Sequence, residues 1–370
     1  MLNNSSIWFM EGVSSQRDIL AAVRAIRDEG QHSFDIIASH RDNRPEILAE
    51  ADHAYLEPKD KHSLLAFMSA IIRKHHVVAV QAGKRGAFFE TLRPEIEAMG
   101  VKLTTGALDK HTFDIADDKA QFSVNMTHHG LASVPSVLVT TPEEFSVALA
   151  SPLFSTLVPC IKPVRGIYGM GFWILNKTAR RMQCFGNPDE RIVHPDIFIS
   201  ALRSAAEAGE TMAPQIVMPW LPGPERSVDM LVENGNVLAA VARCKTGSVQ
   251  SLENAGPAFD LAIACAEKLR LDGLVNVQTR NDAHGQPVLL EANLRPSGGI
   301  GYTLHCGINL SGMFALRQLG LLTDAQIRER VARFTALQVT PSHQVMPVPV
   351  CQPGSPDFSI HKHRACSCQN

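Results

Sequence analysis

The segment Leu289-Leu-Glu-Ala-Asn-Leu-Arg-Pro-Ser-Gly-Gly constrains this chain more than any other. An apolar run leads straight into Glu291, Asn293 and Arg295, which are spaced two apart and so share one face of a strand. Upstream, Val275 and Val277 alternate as far as Gln278, and Asn-Asp-Ala-His-Gly at 281–285 supplies turn residues, so the two stretches read as a hairpin. With Gln278 taken as the end of the first strand, the hairpin gathers a carboxylate between two amides. Such oxygen ligands suit Mg2+, a hard cation that often completes its shell with nucleotide phosphates. Arg295 on the same face can meet negative charge as a phosphoryl group moves. A polar strand end at the surface gives the same alternation, so the hairpin alone leaves both readings open.

Composition narrows the classes. The chain has 370 residues, 45% apolar and 19% charged, with a net charge of −2, enough for two or three compact units. Near-neutrality gives no electrostatic reason to expect nucleic acid or an anionic membrane as partner. No apolar run approaches the roughly 20 residues of a membrane span, and Met1-Leu-Asn-Asn-Ser-Ser lacks the basic start of a secretory signal, so a cytoplasmic protein acting on small molecules is expected. The eight cysteines show no paired framework and read as reduced thiols. Only His361-Lys-His-Arg-Ala-Cys-Ser-Cys clusters soft ligands, and a frayed tail explains it as well as a metal site does.

The first hundred residues alternate strand and helix: strands at 7–10, 34–39 and 77–81, helices at 16–29 and 64–74, then a loop at 82–86 and a helix through 97. This pattern predicts a small doubly wound parallel sheet. Ligands of such sheets lie outside the carboxyl ends of the strands, which makes Gln81, Gly83, Lys84 and Arg85 candidates for contact with an acceptor, or an ordinary basic loop. After Gly106 a helix is expected over 109–129, with Lys119 inside it, then a short strand at 135–140 and a helix capped by Thr141-Pro-Glu-Glu.

Two further motifs carry chemistry. In Val158-Pro-Cys-Ile-Lys-Pro-Val-Arg-Gly-Ile-Tyr-Gly-Met-Gly a strand delivers Lys162, and Gly166, Gly169 and Gly171 form a turn whose backbone N–H groups can close over phosphate oxygens. It is neither a Walker loop, lacking Gly-Lys-Ser/Thr, nor a Rossmann fingerprint, because strand follows where helix should start. Further on, Gln215-Ile-Val-Met-Pro-Trp-Leu-Pro-Gly-Pro-Glu-Arg-Ser-Val-Asp reads as strand, turn and strand, and Asn234-Gly235 as a hairpin turn into a strand bearing Arg243 and Lys245. Amphipathic helices are expected at 258–269 and 310–319, flanking the glycine-rich loop Ser297-Gly-Gly-Ile-Gly-Tyr, another candidate for acceptor contact.

The order of these motifs over residues 108–320 resembles the ATP-grasp superfamily, and Gln278 with Glu-x-Asn-x-Arg looks most like its carbamoyl-phosphate-synthetase-like, carboxylate–amine ligase branch. The resemblance implies an α/β and α+β protein: a doubly wound parallel-sheet (pre-ATP-grasp) domain over 1–107, a two-lobed ATP-grasp domain over 108–325 with its small lobe at 133–220, and a partly unstructured extension over 326–370. It implies ATP as nucleotide and two Mg2+ ions, or Mn2+ in their place, bridged by Glu291 and completed by Asn293 and Gln278. Lys119 and Lys162 would reach phosphate and the three glycines cover it. Met218, Trp220 and Leu221 would hold adenine and Glu225 the ribose, with Met218 replacing an acidic residue often found at the start of this hinge. Arg295, Lys162 and Arg243 form the implied catalytic set. For Arg243 and Lys245 a salt-bridged strand end is an equal reading. The implied reaction phosphorylates a carboxylate acceptor and couples it to an amine or other nucleophile, with small-molecule partners and a homodimer expected. A kinase that stops at phosphoryl transfer, or a non-catalytic ATP-binding regulator, are the alternatives.

Overall fold

The computed structural model describes residues 5–166 and 169–342. Ile167 and Tyr168 of the glycine-rich loop and the Cys/His-containing tail lie outside the described residues.

Five short strands open the chain: β1 (Ser6–Phe9), β2 (Asp35–His40), β3 (His53–Leu56), β4 (Val77–Gln81) and β5 (Lys102–Thr104). They pair in parallel in the order β3-β2-β1-β4-β5, the doubly wound arrangement, with its switch point between β1 and β4. The near-continuous apolar sequence of β1 follows from this, since a parallel sheet is covered on both faces. Ile7, Phe9 and Ile36 pack on one side with helices Gln16–Glu29 and Leu310–Gln318, while Trp8, Ile37 and Val80 pack on the other with helix Lys61–His75.

Sequence pattern misses β3 and β5, whose four and three residues include polar His53 and Lys102 and are too short to show a period. It also runs one helix through 109–129 where there are two, Lys110–Asp117 and Lys119–His128. Asp118 breaks them apart: its backbone is extended (φ −103°, ψ 102°) and its carboxylate accepts from the N–H groups of Ala120 and Gln121. Capping by Asp outweighs helix continuation here. Lys119 therefore stands at a helix start, not on a solvated helix flank.

A second sheet contains β6 (Val137–Val139), β7 (Pro159–Pro163), β8 (Trp173–Leu175), β9 (Ile192–Val193) and β10 (Gln215–Pro219), in the order β6-β10-β7-β8-β9. The third, antiparallel throughout, contains β11 (Glu225–Glu233), β12 (Asn236–Thr246), β13 (Val249–Glu253), β14 (Gly273–Asn281), β15 (Pro287–Asn293) and β16 (Gln338–Val339), ordered β15-β14-β11-β12-β13-β16. Asn234 and Gly235 both have positive φ (49° and 82°), as the tight β11–β12 turn requires. β14 continues three residues beyond Gln278, which is thus inside the strand and not at its end. The chain assigned to an extension from 326 begins in packed structure: helix Asp324–Val331 buries Ile327, and β16 pairs with β13.

On the third sheet Val228, Met230, Ala240, Val275 and Val277 form an apolar layer with helix Pro257–Lys268. The opposite face changes character along its length. Leu231, Val241 and Leu274 join the core shared with the parallel sheet. Farther along the same strands that face is polar, and there it meets the second sheet.

Candidate functional site

The polar half of the third sheet is a ladder of paired residues. Glu225 lies opposite Lys245 and Arg280, Ser227 opposite Arg243 and Gln278, Gln278 opposite Glu291, and Asn276 opposite Asn293. Above it stand β7, the glycine-rich loop and the end of β10, and between the two sheets is a cleft of about 660 Å³. Lys119, Lys162, Gly166, Gly169, Met218, Trp220, Leu221, Glu225, Arg243, Lys245, Gln278, Glu291, Asn293 and Arg295 all line it. Gly171 does not. A Cβ there would fall 2.8 Å from Pro163 Cγ, and φ is +74°, so this glycine serves the turn and its packing.

One end of the cleft is apolar, where Met218, Leu221 and Cys160 pack with Trp220, Phe172 and Leu290. Burial pushes the Cys160 thiol up to about 12, so it is neutral and serves as a small apolar wall. The Trp220 backbone N–H donates to Val158 O at 2.7 Å, which fixes the strand-to-strand hinge.

The other end is charged. Lys119 Nζ donates to Gly166 O (3.1 Å) and approaches the Glu291 carboxylate (3.8 Å), linking the glycine-rich loop to the third sheet. Burial lowers the Lys162 ammonium below the ordinary lysine value, against the opposing pull of Glu291. Asn293 Nδ2 donates to Glu291 Oε1 (3.1 Å), and Arg295 Nη2 donates to Asn293 Oδ1 (3.2 Å). Glu225 is ion-paired with Lys245, with Arg280 Nη1 3.9 Å away. Among the described residues seven basic side chains line the cleft (Lys119, Lys162, Arg191, Arg243, Lys245, Arg280, Arg295) against two acidic ones, Glu225 and Glu291. That excess selects an anionic ligand. The donor set of Gln278, Glu291 and Asn293, one carboxylate and two amide oxygens on adjacent strands of one face, fits a hard divalent cation and offers no soft ligand.

Arg243 is held more tightly than its strand position implies. It is buried, and its guanidinium donates to Asp229 (2.7 Å), Gln250 (2.8 Å), Ser227 (3.0 Å) and Ser297 (2.8 Å). The bond to Ser297 fixes the loop that follows Arg295, and a Cβ on Gly299 would come within 2.5 Å of Arg243 Nη1. The salt-bridged reading of this residue therefore holds together with its place at the cleft.

Of the proposed acceptor-contacting group, Arg85 pairs with Glu57 and lies near Glu11, and Lys84 Nζ is 2.8 Å from Glu11. Burial, the largest influence on Glu11, is outweighed by Lys84 and Arg41, so its carboxyl sits below the usual range. Arg85 and Lys84 neutralise these buried carboxylates, and neither lines the large cleft, nor do Gln81 and Gly83. The cleft also contains residues that sequence reasoning passed over: Ser227, Gln250, Asn276, Arg280 and Arg191. For Ser227, Asn276 and Arg280 the signal was present, because each stands two from a residue already singled out (Glu225, Gln278) in an apolar strand. Gln250 and Arg191 have no such signal.

A doubly wound parallel sheet followed by two lobes that clasp a cationic cleft, with the lysines, hinge and Glu-x-Asn-x-Arg strand on its walls, is the arrangement of the ATP-grasp fold. Residues 211–345 match the family described as ATP-grasp in the biosynthetic pathway with Ter operon. Solved structures share the fold at low identity. An L-amino acid ligase from Bacillus licheniformis superposes with a TM-score of 0.59 at 14% identity, covering 88% of this chain and 77% of that one. An ATP complex of carboxyaminoimidazole ribonucleotide synthase from Aspergillus clavatus gives 0.61 at 14% (88% and 79%), and an ADP complex of N5-carboxyaminoimidazole synthetase from Staphylococcus aureus gives 0.62 at 12% (86% and 78%). No curated protein matches the chain in sequence.

Proposed function

We propose that this protein is an ATP-dependent ligase that phosphorylates a carboxylate acceptor and couples the acylphosphate to an amine or another nucleophile. The observation that carries the reading is the convergence of Lys119, Lys162, Glu225, Gln278, Glu291, Asn293 and Arg295 on one cleft between two sheets. Its apolar end suits a purine and its cationic end a triphosphate. The similar structures, one named as a ligase and two, with ADP and ATP, as a synthetase and a synthase, support the same direction, and the matched family's description favours a biosynthetic setting.

Gln278, Glu291 and Asn293 would hold Mg2+, which supplies charge neutralisation on the terminal phosphates. Lys162 and Lys119 hold the phosphates from the side of the glycine-rich loop, and Glu225 takes the ribose hydroxyls. The acceptor carboxylate attacks the γ-phosphorus in line, the bond to the β–γ bridging oxygen breaks, and ADP leaves with that electron pair. Arg295 meets the charge on the transferred group. The incoming nucleophile then attacks the acyl carbon and inorganic phosphate departs. Positioning and fixed charge do the work, with no covalent protein intermediate.

The test is ADP release with Mg-ATP across a panel of carboxylates and amines, with product masses separating ligation from a kinase reaction. Glu291→Ala is expected to lower acceptor-stimulated ADP release roughly a hundredfold or more. Its fold should persist, because the carboxylate is a quarter exposed and pairs only loosely with Lys119. Undiminished turnover in this variant would remove the assignment of Glu291.

A further inference from the structure

Glu225 is the first residue of β11, and both neighbouring strands present a cation directly opposite it: Lys245 on β12 and Arg280 on β14. All three line the cleft. A cross-strand ion pair on a polar sheet face is ordinary and contributes little where solvent reaches it. Two cations around one carboxylate exceed what neutralising a single charge requires.

The two cations hold different things. Lys245 Nζ donates to Glu225 Oε1. Arg280 Nη1 stays 3.9 Å from Oε2, beyond hydrogen-bond reach, while its Nε donates to Gly223 O at 3.0 Å in the turn before β11. That turn is fixed to β14. The Gly223 N–H donates to Asn281 O (3.1 Å), the Asn281 N–H donates to Pro224 O (3.2 Å), and a Cβ on Gly223 would fall 2.5 Å from Asn281 Cβ. Arg280 and Asn281 thereby hold the backbone from which Glu225 projects, and Lys245 holds the carboxylate itself.

An ionised carboxylate has about four acceptor positions. Among the described residues Oε1 accepts from Lys245 and Oε2 accepts from no donor, so both oxygens keep positions open in a cleft wall. Adjacent hydroxyls of one sugar ring can each donate to one oxygen of the same carboxylate, whereas a lone hydroxyl leaves one oxygen unserved.

We propose that Lys245 is a positioning residue for the sugar: it holds the Glu225 carboxylate so that each oxygen accepts one hydroxyl of a vicinal cis-diol, and the site thereby selects ribonucleotides over 2′-deoxynucleotides. This rests on the nucleotide's place in the ligase reading and deepens it, assigning Lys245 to the sugar and not to the acceptor. Without Lys245 the carboxylate turns towards Arg280 and loses the orientation that serves both hydroxyls.

The test titrates the full chain, with Mg2+, with a non-hydrolysable ATP analogue and with its 2′-deoxy counterpart by calorimetry. The wild type is expected to bind the ribo form about tenfold or more tightly. Lys245 is 36% exposed, so Lys245→Met keeps the fold. This variant should shrink the ratio to about threefold or less by weakening the ribo form, with the 2′-deoxy form changed by about twofold at most. Equal weakening of both forms would make Lys245 merely structural, and unchanged affinity for both would leave it to the acceptor; either result overturns the proposal, as does a wild type indifferent to the 2′-hydroxyl. Glu225→Gln separates the two readings. A ratio kept in that variant removes Glu225 from the sugar, whereas a ratio lost there but kept in Lys245→Met sinks the inference alone. Failure of the analogue to bind the wild type would sink the nucleotide assignment and the inference with it.

Discussion

Lys162 illustrates how a single half-buried charge ties stability to ligand binding. Its ammonium is desolvated on β7, the charge of Glu291 offsets this only in part, and its proton affinity falls below that of a free lysine. Between the lowered value and 10.5 the unfolded chain binds the proton and the folded chain releases it, so stability of the empty protein rises with pH across that window. Phosphate oxygens reverse the balance by favouring the charged form. Two outcomes are expected. The melting temperature of the wild type should rise relative to that of Lys162→Met as pH climbs towards 10.5. Nucleotide binding should take up a proton in the same range, detected by calorimetry in buffers of different ionisation enthalpy, and the uptake should vanish in Lys162→Met. Proton release on binding would contradict contact between this lysine and the phosphates.

At the scale of elements, the third sheet serves two ends with one face: Leu231, Val241 and Leu274 bury it in the core, while Glu225, Arg243 and Gln278 open it to the cleft. Asp229 and Asn276, both wholly buried, stand at the junction. Removing Arg243 would leave the Asp229 carboxylate desolvated and unpaired, so Arg243→Ala is expected to destabilise by about 3–5 kcal/mol in denaturant unfolding, with the Asp229→Ala, Arg243→Ala pair costing less than the sum of the singles. Additive losses would mean that the two charges do not act together. The spacing in Glu291-x-Asn293-x-Arg295 makes its shared face readable from sequence, because local geometry alone sets it. Arg243's partners are a different matter: Asp229, Ser227 and Ser297 lie 14, 16 and 54 residues away, and only strand register brings them together. The break at Asp118 was within reach, since Asp at a helix start is a capping signal, but the helical pattern on both sides conceals it. β3 and β5 form because neighbouring parallel strands supply their hydrogen bonds, and nothing in their own few residues demands a strand.

For the whole molecule, the distribution of cores predicts which part moves. The parallel sheet and the third sheet share one continuous core through helices Gln16–Glu29 and Leu310–Gln318, in which Phe9, Leu231 and Phe314 all take part. The second sheet has a small core of its own around Phe145 and Ile161 on one face, while Met218 and Leu221 on the other pack with Val288 and Leu290 of the third sheet. It is joined to the rest by that small apolar cluster and by polar links such as those of Lys119 with Val164 and Gly166. A ligand that bridges the two sheets therefore adds contacts chiefly to the smaller body, and a ligand at a hundred times its dissociation constant stabilises the bound form by about 2.7 kcal/mol. Hydrogen exchange with Mg2+ and a non-hydrolysable ATP analogue should accordingly slow in β7, β8 and β10 and in the β11, β14 and β15 segments facing them. Exchange in β1, β2 and β4 should stay as it was. Because Lys162 and Glu291 stand on opposite walls, either Lys162→Met or Glu291→Ala should weaken the protection of both sheets, each variant affecting the wall it does not belong to. Protection confined to the mutated residue's own sheet, or appearing first in the parallel sheet, would mean that the nucleotide does not span the cleft.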